Sequence, residues 1–521
     1  MDKRPNVLHI MADQLNSSAL AAYGNKVCKT PHIDSLAARG TLFETFYCNF
    51  PLCAPSRASM LTGRQASRLG VFDNACDFPS QAPTLLHYLA ALGYHTVLSG
   101  KMHFIGADQL HGYQERLTTD IYPSDFGWTP DWKQSIPVAA TGVSLRSVVE
   151  AGTCKRSLQL DFDDEVANKS VQWIYDYGRK ADAKPFFHTV SMTHPHNPYV
   201  TTQEYWDRYR HEDVDMPRVG PIAYDKLDAH SQRLWKAYKF GEYNISEEDV
   251  RKSRHAYYGM TSYIDDQVGR LLGALRDMDL ERNTVVIFTS DHGDMLGERG
   301  LWYKWMHFEG ACRIPMIIAL PGGKALRVRA PASLMDFLPT VVDIAAKGAK
   351  KPEPVARLEG VSLLPAAEGA ASLPEDRPVY AEMNADGTFS PSFMVRKGSW
   401  KLIECEGDPP MLFDLGRDPD EMANLAGKPE VAAIEAELRS LVNANWSPAE
   451  LKKEMQESSR RRLFVQSARD ASGAAAWDYE PRKDASKQYV RGGGVGAGAT
   501  ATKGRARFPF VPAKKPDNPE S

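Results

Sequence analysis

Side chains that can ligate a metal or transfer a proton follow four short apolar runs of this 521-residue chain. The runs, which we predict to be buried β-strands, cover residues 6–11, 94–98, 186–190 and 284–288. Carboxylate and imidazole groups bind divalent cations, and lysine and histidine move protons. The pattern therefore indicates a catalytic site that combines a metal with acid–base groups. Its members are Asp13, Gln14, Lys101, His103, His194, His196, Asp291 and His292.

The elements between these runs predict how the polar residues are brought together. Residues 85–92 and 262–276 carry apolar side chains at three- and four-residue spacing, which is typical of amphipathic helices. Strands that alternate with helices predict an α/β domain with a mainly parallel, mixed central sheet flanked by helices. Ligands of such sheets bind beyond the carboxyl ends of the strands. We expect this catalytic domain to cover residues 1–375.

The C-terminal part of the chain has a different pattern. Short strands are predicted at 378–382, 392–396 and 400–403, followed by a helix at 429–444. We therefore expect a smaller α+β subdomain with a short antiparallel sheet at 376–445. Residues 446–521 are predicted to form an extended, partly flexible tail, in which 492–504 is rich in glycine. We interpret the basic patch Arg460-Arg461-Arg462 as a solvated face.

Composition narrows the choice of partners and compartment. The formal net charge of -3 gives no argument for a nucleic-acid partner. The seven cysteines are widely spaced and contain no CxxC pair, which favours reduced thiols and a cytoplasmic protein. The first apolar run is too short for a signal-peptide core, and no stretch approaches the roughly 20 apolar residues of a membrane span. We expect neither a membrane nor a nucleic-acid partner.

Cys53 opens the segment CAPSRASMLTGR, which covers residues 53–64. By itself, a cysteine in this position could be a small buried thiol. Pro55 is compatible with the first position of a helix, which would place residue 53 beside unpaired backbone N–H groups. Such a helix terminus attracts anions.

The whole segment resembles the nucleophile signature of the sulfatase family. Further segments carry the likeness, so that it spans roughly residues 5–427: TPHIDSLA at 30–37, GTLF at 40–43, DFLPT at 336–340, LFDL at 412–415, DPDE at 418–421 and NL at 424–425. Within the family, the chain is most similar to the bacterial choline sulfatases. The segments concerned are 99–103, 109–112, 115–123, 126–131, 291–302, 477–479 and 484–486.

The resemblance implies that a formylglycine-generating enzyme oxidises Cys53 to formylglycine. One hydroxyl of the hydrated aldehyde would attack sulfur and release the alcohol, and the other would then collapse to the aldehyde and expel sulfate. Arg57, Lys101 and His103 match groups that hold the hydrate, with His103 as the base. His196 and Lys304 match groups that bind sulfate and protonate the leaving oxygen. For His194, a direct role and a structural one both stay open.

The resemblance also implies one divalent cation. The matching ligands are Asp13, Gln14, Cys53, Asp291 and His292. Oxygen-rich sites favour Ca²⁺. Imidazole and the replacement of a second carboxylate by Gln14 make Mn²⁺ the alternative.

The expected substrate is a small alkyl sulfate monoester, choline-O-sulfate above all, which is hydrolysed to choline and sulfate. Asn74 matches a sulfate contact, and Trp128 and Glu382 match the aromatic ring and the acid that hold the quaternary ammonium. Trp477 and Tyr479 are further candidates from the tail, whose glycine-rich stretch replaces an expected carboxylate. The resemblance also suggests a homo-oligomer, either a dimer or a tetramer.

Three alternatives remain at this point. The enzyme could act on the sulfate ester of another alcohol, or it could be a phosphonate monoester or phosphodiester hydrolase with the same nucleophile. A degenerate, non-enzymatic sulfatase would require a broken motif or missing ligands, whereas both the motif and the ligands are intact.

Overall fold

A computed structural model describes residues 4–139, 141, 143–180 and 183–472. Its strands form one large sheet, one small sheet and two strand pairs. The strands, in chain order, are β1 (Asn6–Ala12), β2 (Thr41–Phe43), β3 (Phe46–Tyr47), β4 (His95–Gly100), β5 (Glu115–Arg116), β6 (Gly152–Cys154), β7 (Phe186–Ser191), β8 (Val200–Thr202), β9 (Thr284–Ser290), β10 (Met316–Ala319), β11 (Leu326–Val328), β12 (Ala332–Ser333), β13 (Val379–Met383), β14 (Ser392–Lys397), β15 (Trp400–Cys405) and β16 (Met411–Asp414).

The helices lie between and around these strands. In chain order, they are α1 (Pro31–Ala37), α2 (Cys53–Thr62), α3 (Leu85–Ala91), α4 (Arg146–Val149), α5 (Leu158–Gly178), α6 (Gln203–Trp206), α7 (Ala229–Ala237), α8 (Glu247–Asp277), α9 (Glu309–Cys312), α10 (Phe337–Ala345), α11 (Leu364–Ala367), α12 (Ala432–Asn445) and α13 (Pro448–Ser472).

The central sheet has eight strands in the order β11-β2-β10-β9-β1-β7-β4-β5. Strand β1 is parallel to both β7 and β9, and β4 is parallel to β7 and β5. Strand β10 runs antiparallel to β9 and β2, so the sheet is mixed and mainly parallel. Strands β1, β7 and β9 are buried along their whole length, which is why they appear in the sequence as continuous apolar runs. The predicted fold class is confirmed.

Helices pack on this sheet and on one another. Helix α5 packs on β4 and β7, and α8 packs on α5 and α1. The sequence predicted only the C-terminal half of α8. The helix begins at Glu247 because Ser246 and Asp249 form a capping box, in which each side chain accepts the other residue's backbone N–H.

The smaller sheet has the order β13-β14-β15-β16 and is antiparallel throughout, as predicted. Helix α12 packs on β14 and β15. Lys401 of β15 is buried and forms ion pairs with Glu309 at 3.0 Å and Glu421 at 2.8 Å. Asn49 donates a hydrogen bond to the Tyr380 carbonyl at 2.7 Å. The contacts with Glu309 and Asn49 join the small sheet to the first part of the chain.

The start of the predicted tail is helical. Helix α13 buries Leu451 and Met455, and its Arg462 is only 6% exposed. The interpretation of the arginine patch as a solvated face is therefore wrong for Arg462, whose guanidinium pairs with a buried carboxylate of the main body. Residues 473–521, with the glycine-rich stretch, lie outside the described part. Within the described residues, none of the helices is both sufficiently long and sufficiently apolar to cross a bilayer.

Candidate active site

Strand register brings the predicted polar residues to one edge of the central sheet. Ala12 of β1 is level with Ser290 of β9, so the next residues, Asp13 and Asp291, emerge side by side. Gly100 of β4 is level with Ser191 of β7, and Lys101 follows at the same edge. Parallel strands end together, and this is how residues far apart in the chain share one site.

Cys53 is the first residue of α2 and is 2% exposed. Pro55 is therefore the third residue of the helix and not the first, because the helix already begins at Cys53. The expectation that residue 53 lies at a helix N-terminus still holds. Its Sγ is 3.2 Å from Nε2 of His292 and 3.4 Å from Nζ of Lys304. The adjacent N–H of Ala54 donates to Oδ1 of Asn74 at 2.9 Å.

Four buried side chains form a cluster that could hold a metal ion. Ligand atoms of Asp13, Cys53, Asp291 and His292 all lie within 4.8 Å of one another. Two carboxylates and an imidazole at this spacing suit a divalent cation. The structure thus brings together four of the five predicted ligands.

The fifth predicted ligand, Gln14, lies beside this cluster. Its Oε1 accepts a hydrogen bond from Lys304 at 2.7 Å, and its Nε2 donates to Asp294 at 2.6 Å. Asp294 is fully buried and also accepts from the Tyr199 hydroxyl at 2.7 Å. Sequence reasoning missed Asp294, although it follows Asp291 by three residues in the same segment.

Basic residues neutralise the two carboxylates of the cluster. Nε of Arg57 donates to Asp291 at 2.9 Å, and its Nη1 donates to the Ser191 hydroxyl at 2.9 Å. Burial alone raises the pKa of Asp291, but the Arg57 charge more than offsets this and holds the pKa below its usual range. Lys101 pairs with Asp13. Burial lowers the pKa of Lys101, yet Asp13 raises it overall, so the ammonium stays charged.

The same positive charges act on Cys53, His103 and His196. Burial raises the pKa of the Cys53 thiol, but Lys101 and Lys304 together shift it well below the ordinary value. Burial lowers the pKa of both His103 and His196, so that both rings are neutral at pH 7. Nζ of Lys304 is 2.8 Å from Nε2 of His196 and donates to it.

Two residues of the site have a left-handed backbone that side chains rarely adopt. These are Gln14 with φ 62° and His103 with φ 56°. The strain is held by hydrogen bonds: Gln14 N–H donates to Asp291 at 3.1 Å, and His103 N–H donates to Asp120 at 2.8 Å. Conformations of this kind cost about 1–3 kcal/mol and cluster at functional sites.

A cavity of about 320 Å³ opens above Cys53. Of the predicted site residues, Cys53, Asn74, His103, Trp128, His196 and Lys304 line it. The Trp128 ring meets His103 edge-on at 5.8 Å between centroids. Sequence reasoning missed most of the lining, including three aromatic side chains and a carboxylate: Tyr122, which lies within the recognised segment 115–123, and Tyr238, Trp305 and Asp386.

Within the described residues, the predicted substrate contact Glu382 does not line this cavity, and neither does His194. Glu382 is fully buried elsewhere, where it accepts from the Ser67 N–H at 2.7 Å and the Trp446 indole at 3.0 Å. It belongs to strand β13, whereas the carboxylate that reaches the cavity, Asp386, follows the strand's end. His194 is tied to Asp163 at 2.5 Å, which favours its structural role. Trp477 and Tyr479 lie outside the described residues.

Comparison with known proteins adds three family matches. The Sulfatase model matches residues 5–347. The model of the N-sulphoglucosamine sulphohydrolase C-terminal region matches residues 297–446, and that of the choline sulfatase C-terminal region matches 453–497. Together the three matches extend over most of the chain.

Individual relatives agree with these matches. The chain is 41% identical to the choline-sulfatase of Rhizobium meliloti (strain 1021) over 495 residues, which is 94% of this chain and 96% of that protein. It is 30% identical to an arylsulfatase of Clostridium perfringens (strain 13 / Type A) over 451 residues, which is 82% of this chain and 91% of that protein.

Among solved structures, the phosphonate monoester hydrolase of Agrobacterium radiobacter has the same fold. It superposes with a TM-score of 0.67 at 22% identity, over 87% of this chain and 96% of that one. The match to the Sulfatase family model and the 41% identical relative show the family as well as the fold. This chain belongs to the sulfatase family and is a sulfuric ester hydrolase.

Proposed function

We propose that this enzyme hydrolyses choline-O-sulfate to choline and sulfate. The observation that carries the proposal is the mixed lining of the 320 Å³ cavity, where cationic groups beside Cys53 are combined with aromatic rings and the Asp386 carboxylate. The substrate has the same combination of charges, an anionic sulfate and a quaternary ammonium. The name and 41% identity of the Rhizobium meliloti relative support the same substrate.

Aromatic rings and an acid are what a quaternary ammonium requires, because it has no N–H group to donate. Tyr238 and Trp305 are stacked at 4.4 Å between centroids, and Trp128 contributes a third ring to the lining. Asp386 is 2% exposed, and burial raises its pKa to about 6. It is therefore mainly ionised at pH 7, and we assign to it the role that the family resemblance implied for Glu382.

The sulfate contacts we propose are Asn74, His196 and Lys304. An alkyl alcohol is a poor leaving group, so its oxygen needs a proton as the S–O bond breaks. Lys304 holds that proton at Nζ, in a hydrogen bond to the neutral His196 ring. His103 is the proposed base. Its ring is buried, which lowers the pKa of His103 overall, and the neighbouring Cys53 thiol partly offsets this effect.

A divalent cation and a formylglycine both fit this site. Asp13, Asp291, His292 and residue 53 would hold the cation, with Gln14 beside them. A bound cation supplies Lewis-acid screening of negative charge, and formylglycine supplies a hydrated aldehyde as nucleophile. We propose Ca²⁺ from the two carboxylates, with Mn²⁺ as the alternative because of His292. The buried position of Cys53 in the finished fold suits oxidation by a formylglycine-generating enzyme before folding is complete.

We further propose a cytoplasmic homo-oligomer, either a dimer or a tetramer. The structure describes all seven cysteines and leaves each as a free thiol, in keeping with a reducing compartment. Phe464 of α13 is 73% exposed, which suits a contact between subunits. The proposed domain limits are 1–375, 376–445 and 446–521.

Steady-state kinetics on four esters test the substrate. We expect kcat/KM for choline-O-sulfate to exceed that for ethyl sulfate, 4-nitrophenyl sulfate and a phosphonate monoester by about 100-fold, as cation recognition adds to sulfate binding. Asp386→Asn should raise KM for choline-O-sulfate about tenfold and leave KM for ethyl sulfate nearly unchanged, since only the first has a cation.

Glu150→Gln is the matched control. Glu150 also lines the cavity, but its exposed carboxylate is paired with Arg146 at 2.6 Å. We expect its KM to change less than about twofold, as is usual for exposed ion pairs. A higher kcat/KM for any of the other three esters would overturn the choline assignment, and a higher value for the phosphonate would reassign the reaction class.

A further inference from the structure

Helix α13 contacts two loops of the main body through one buried arginine. Nη1 and Nη2 of Arg462 each lie 2.8 Å from an oxygen of Asp73, in a two-point pair whose side chains are 7% and 2% exposed. Nη1 also donates to the Thr129 hydroxyl at 3.1 Å. One guanidinium therefore binds both loops at once, with a planar geometry that lysine cannot reproduce.

The first of these loops contacts the residue next to the nucleophile. Asp73 precedes Asn74, which lines the substrate cavity and accepts the N–H of Ala54, the residue after Cys53. Asp73 also accepts the Ala75 N–H at 2.9 Å. The position of the Asp73 carboxylate thus fixes the turn that presents Asn74.

The second loop carries Trp128, one of the aromatic side chains that line the cavity. Thr129 follows Trp128, and the next residue, Pro130, accepts a hydrogen bond from Ser459 of α13 at 2.6 Å. Arg462 and Ser459 lie one helical turn apart, so the same face of α13 holds this loop at two points. Neither of them lines the cavity itself.

We propose that Arg462 is a positioning residue for substrate binding, which fixes the Asn74 loop and the Trp128 loop relative to each other. The inference rests on the proposed function in taking Asn74 and Trp128 as substrate contacts. It extends the functional part of the enzyme to a helix that touches no substrate.

Charge provides a second way in which Arg462 acts on the cavity. Burial raises the pKa of Asp386, and the negative charge of Asp73 adds to this rise, whereas hydrogen bonds from the Ala139 N–H and the Tyr238 hydroxyl lower it. Arg462 neutralises Asp73 at contact distance. Removal of Arg462 would leave Asp73 unpaired and would raise the pKa of Asp386 further, because like charges disfavour ionisation.

Three variants of the full-length enzyme test this proposal, with KM, kcat and thermal unfolding measured for each. We expect Arg462→Gln to raise KM for choline-O-sulfate about tenfold while kcat falls less than about threefold, since binding contacts are displaced. The pH at which KM begins to rise should move upward. Arg462→Lys should keep the wild-type pH midpoint but not the low KM, because it restores the charge without the two-point contact.

Arg461→Gln is the matched control on the same helix. Arg461 is exposed, and its ion pair with Glu457 at 3.9 Å is a weak surface contact. We expect its kinetics to match the wild type. Lower thermal stability in Arg462→Gln with unchanged KM and pH midpoint would overturn the proposal, as would an unchanged KM in Arg462→Lys.

Comparison of choline-O-sulfate with ethyl sulfate distinguishes a failure of the Arg462 proposal from a failure of the proposed function. If the wild type prefers another ester, the variants are compared on that ester. If Arg462 positions Asn74, Arg462→Gln should show the same rise in KM on that ester, because Asn74 contacts the sulfate of any substrate. An unchanged KM on the preferred ester would reject the role of Arg462 independently of the substrate's identity.

Discussion

The reaction centre and the substrate cavity lie next to each other but are built from different kinds of structure. Asp13, Asp291 and Lys101 follow strands of one sheet, and their positions are set by strand register. Trp128 and Asp386 come from loops far apart in the chain, and the Trp128 loop is held by α13. This difference explains how the reaction can stay the same while the substrate differs. The strand ends hold the reacting groups, and changes in the loops alter the groups that bind the substrate.

The two regions also differ in how their buried charges are balanced. In the reaction centre, Arg57 and Lys101 are matched by Asp291 and Asp13, so that buried charges are paired. In the cavity, Asp386 accepts hydrogen bonds but has no basic partner among the contacts described for it. A carboxylate left in this state is suited to a cationic ligand.

Replacement of the nucleophile tests the reaction centre most severely. We expect Cys53→Ser to lower kcat by about 10⁴-fold or more, because the covalent sulfate ester can form but cannot break down. A serine hydroxyl can attack sulfur and release the alcohol, but the resulting sulfate ester has no second hydroxyl to expel sulfate. Mass spectrometry of the variant after incubation with substrate should therefore show one added sulfo group on residue 53.

Cys405→Ser is the control, because Cys405 lies on β15 away from the cavity. Its activity should equal that of the wild type. Peptide mass analysis of the wild type provides the complementary result, in which an unmodified thiol at Cys53 in fully active enzyme would contradict the formylglycine mechanism.

Removal of divalent cations tests the cluster of Asp13, Cys53, Asp291 and His292. Exhaustive chelation should abolish activity, and Ca²⁺ or Mn²⁺ should restore it. The added metal should also raise Tm by several degrees, because a ligand that binds only the folded state stabilises it. The order in which the two ions restore activity decides between them.

Asp266→Asn serves as the control for chelation, since Asp266 belongs to the other acidic cluster with His32 and Asp265. This variant should keep both the rise in Tm and the recovery of activity. If metal addition changes neither Tm nor activity in the wild type, the proposed metal site is wrong.

The pH dependence of KM tests the cavity alone. The raised pKa of Asp386, about 6, means that its carboxyl group becomes neutral as the pH falls through that value. KM for choline-O-sulfate should then rise and level off about tenfold higher, as expected for Asp386→Asn, because the charge that attracts the ammonium is lost. KM for ethyl sulfate should not follow this profile. In Asp386→Asn the difference between the two profiles should disappear, and its persistence would assign the effect to another group.

The sequence predicted the reaction centre more completely than the cavity, and particular residues show why. Asp13 and His292 were recognisable because each directly follows an apolar run, a relation that a parallel sheet converts into proximity. Glu382 was chosen instead of Asp386, because a carboxylate on a strand and one beyond its end look alike in sequence. Arg462 was interpreted as solvated because it stands in a run of three arginines, and only its tertiary partner Asp73 distinguishes it from the exposed Arg460 and Arg461.

The sequence by itself determined the fold class, the family and the residues at the strand ends, since these depend on local pattern and strand order. Tertiary structure alone decided which loops meet above Cys53. It placed Asp386 in the cavity, withdrew Glu382 into hydrogen bonds with Ser67 and Trp446, and joined Arg462 to Asp73. The physical reason is that contacts between loops depend on the packing of the whole chain, whereas the end of a buried strand is marked by its own residues.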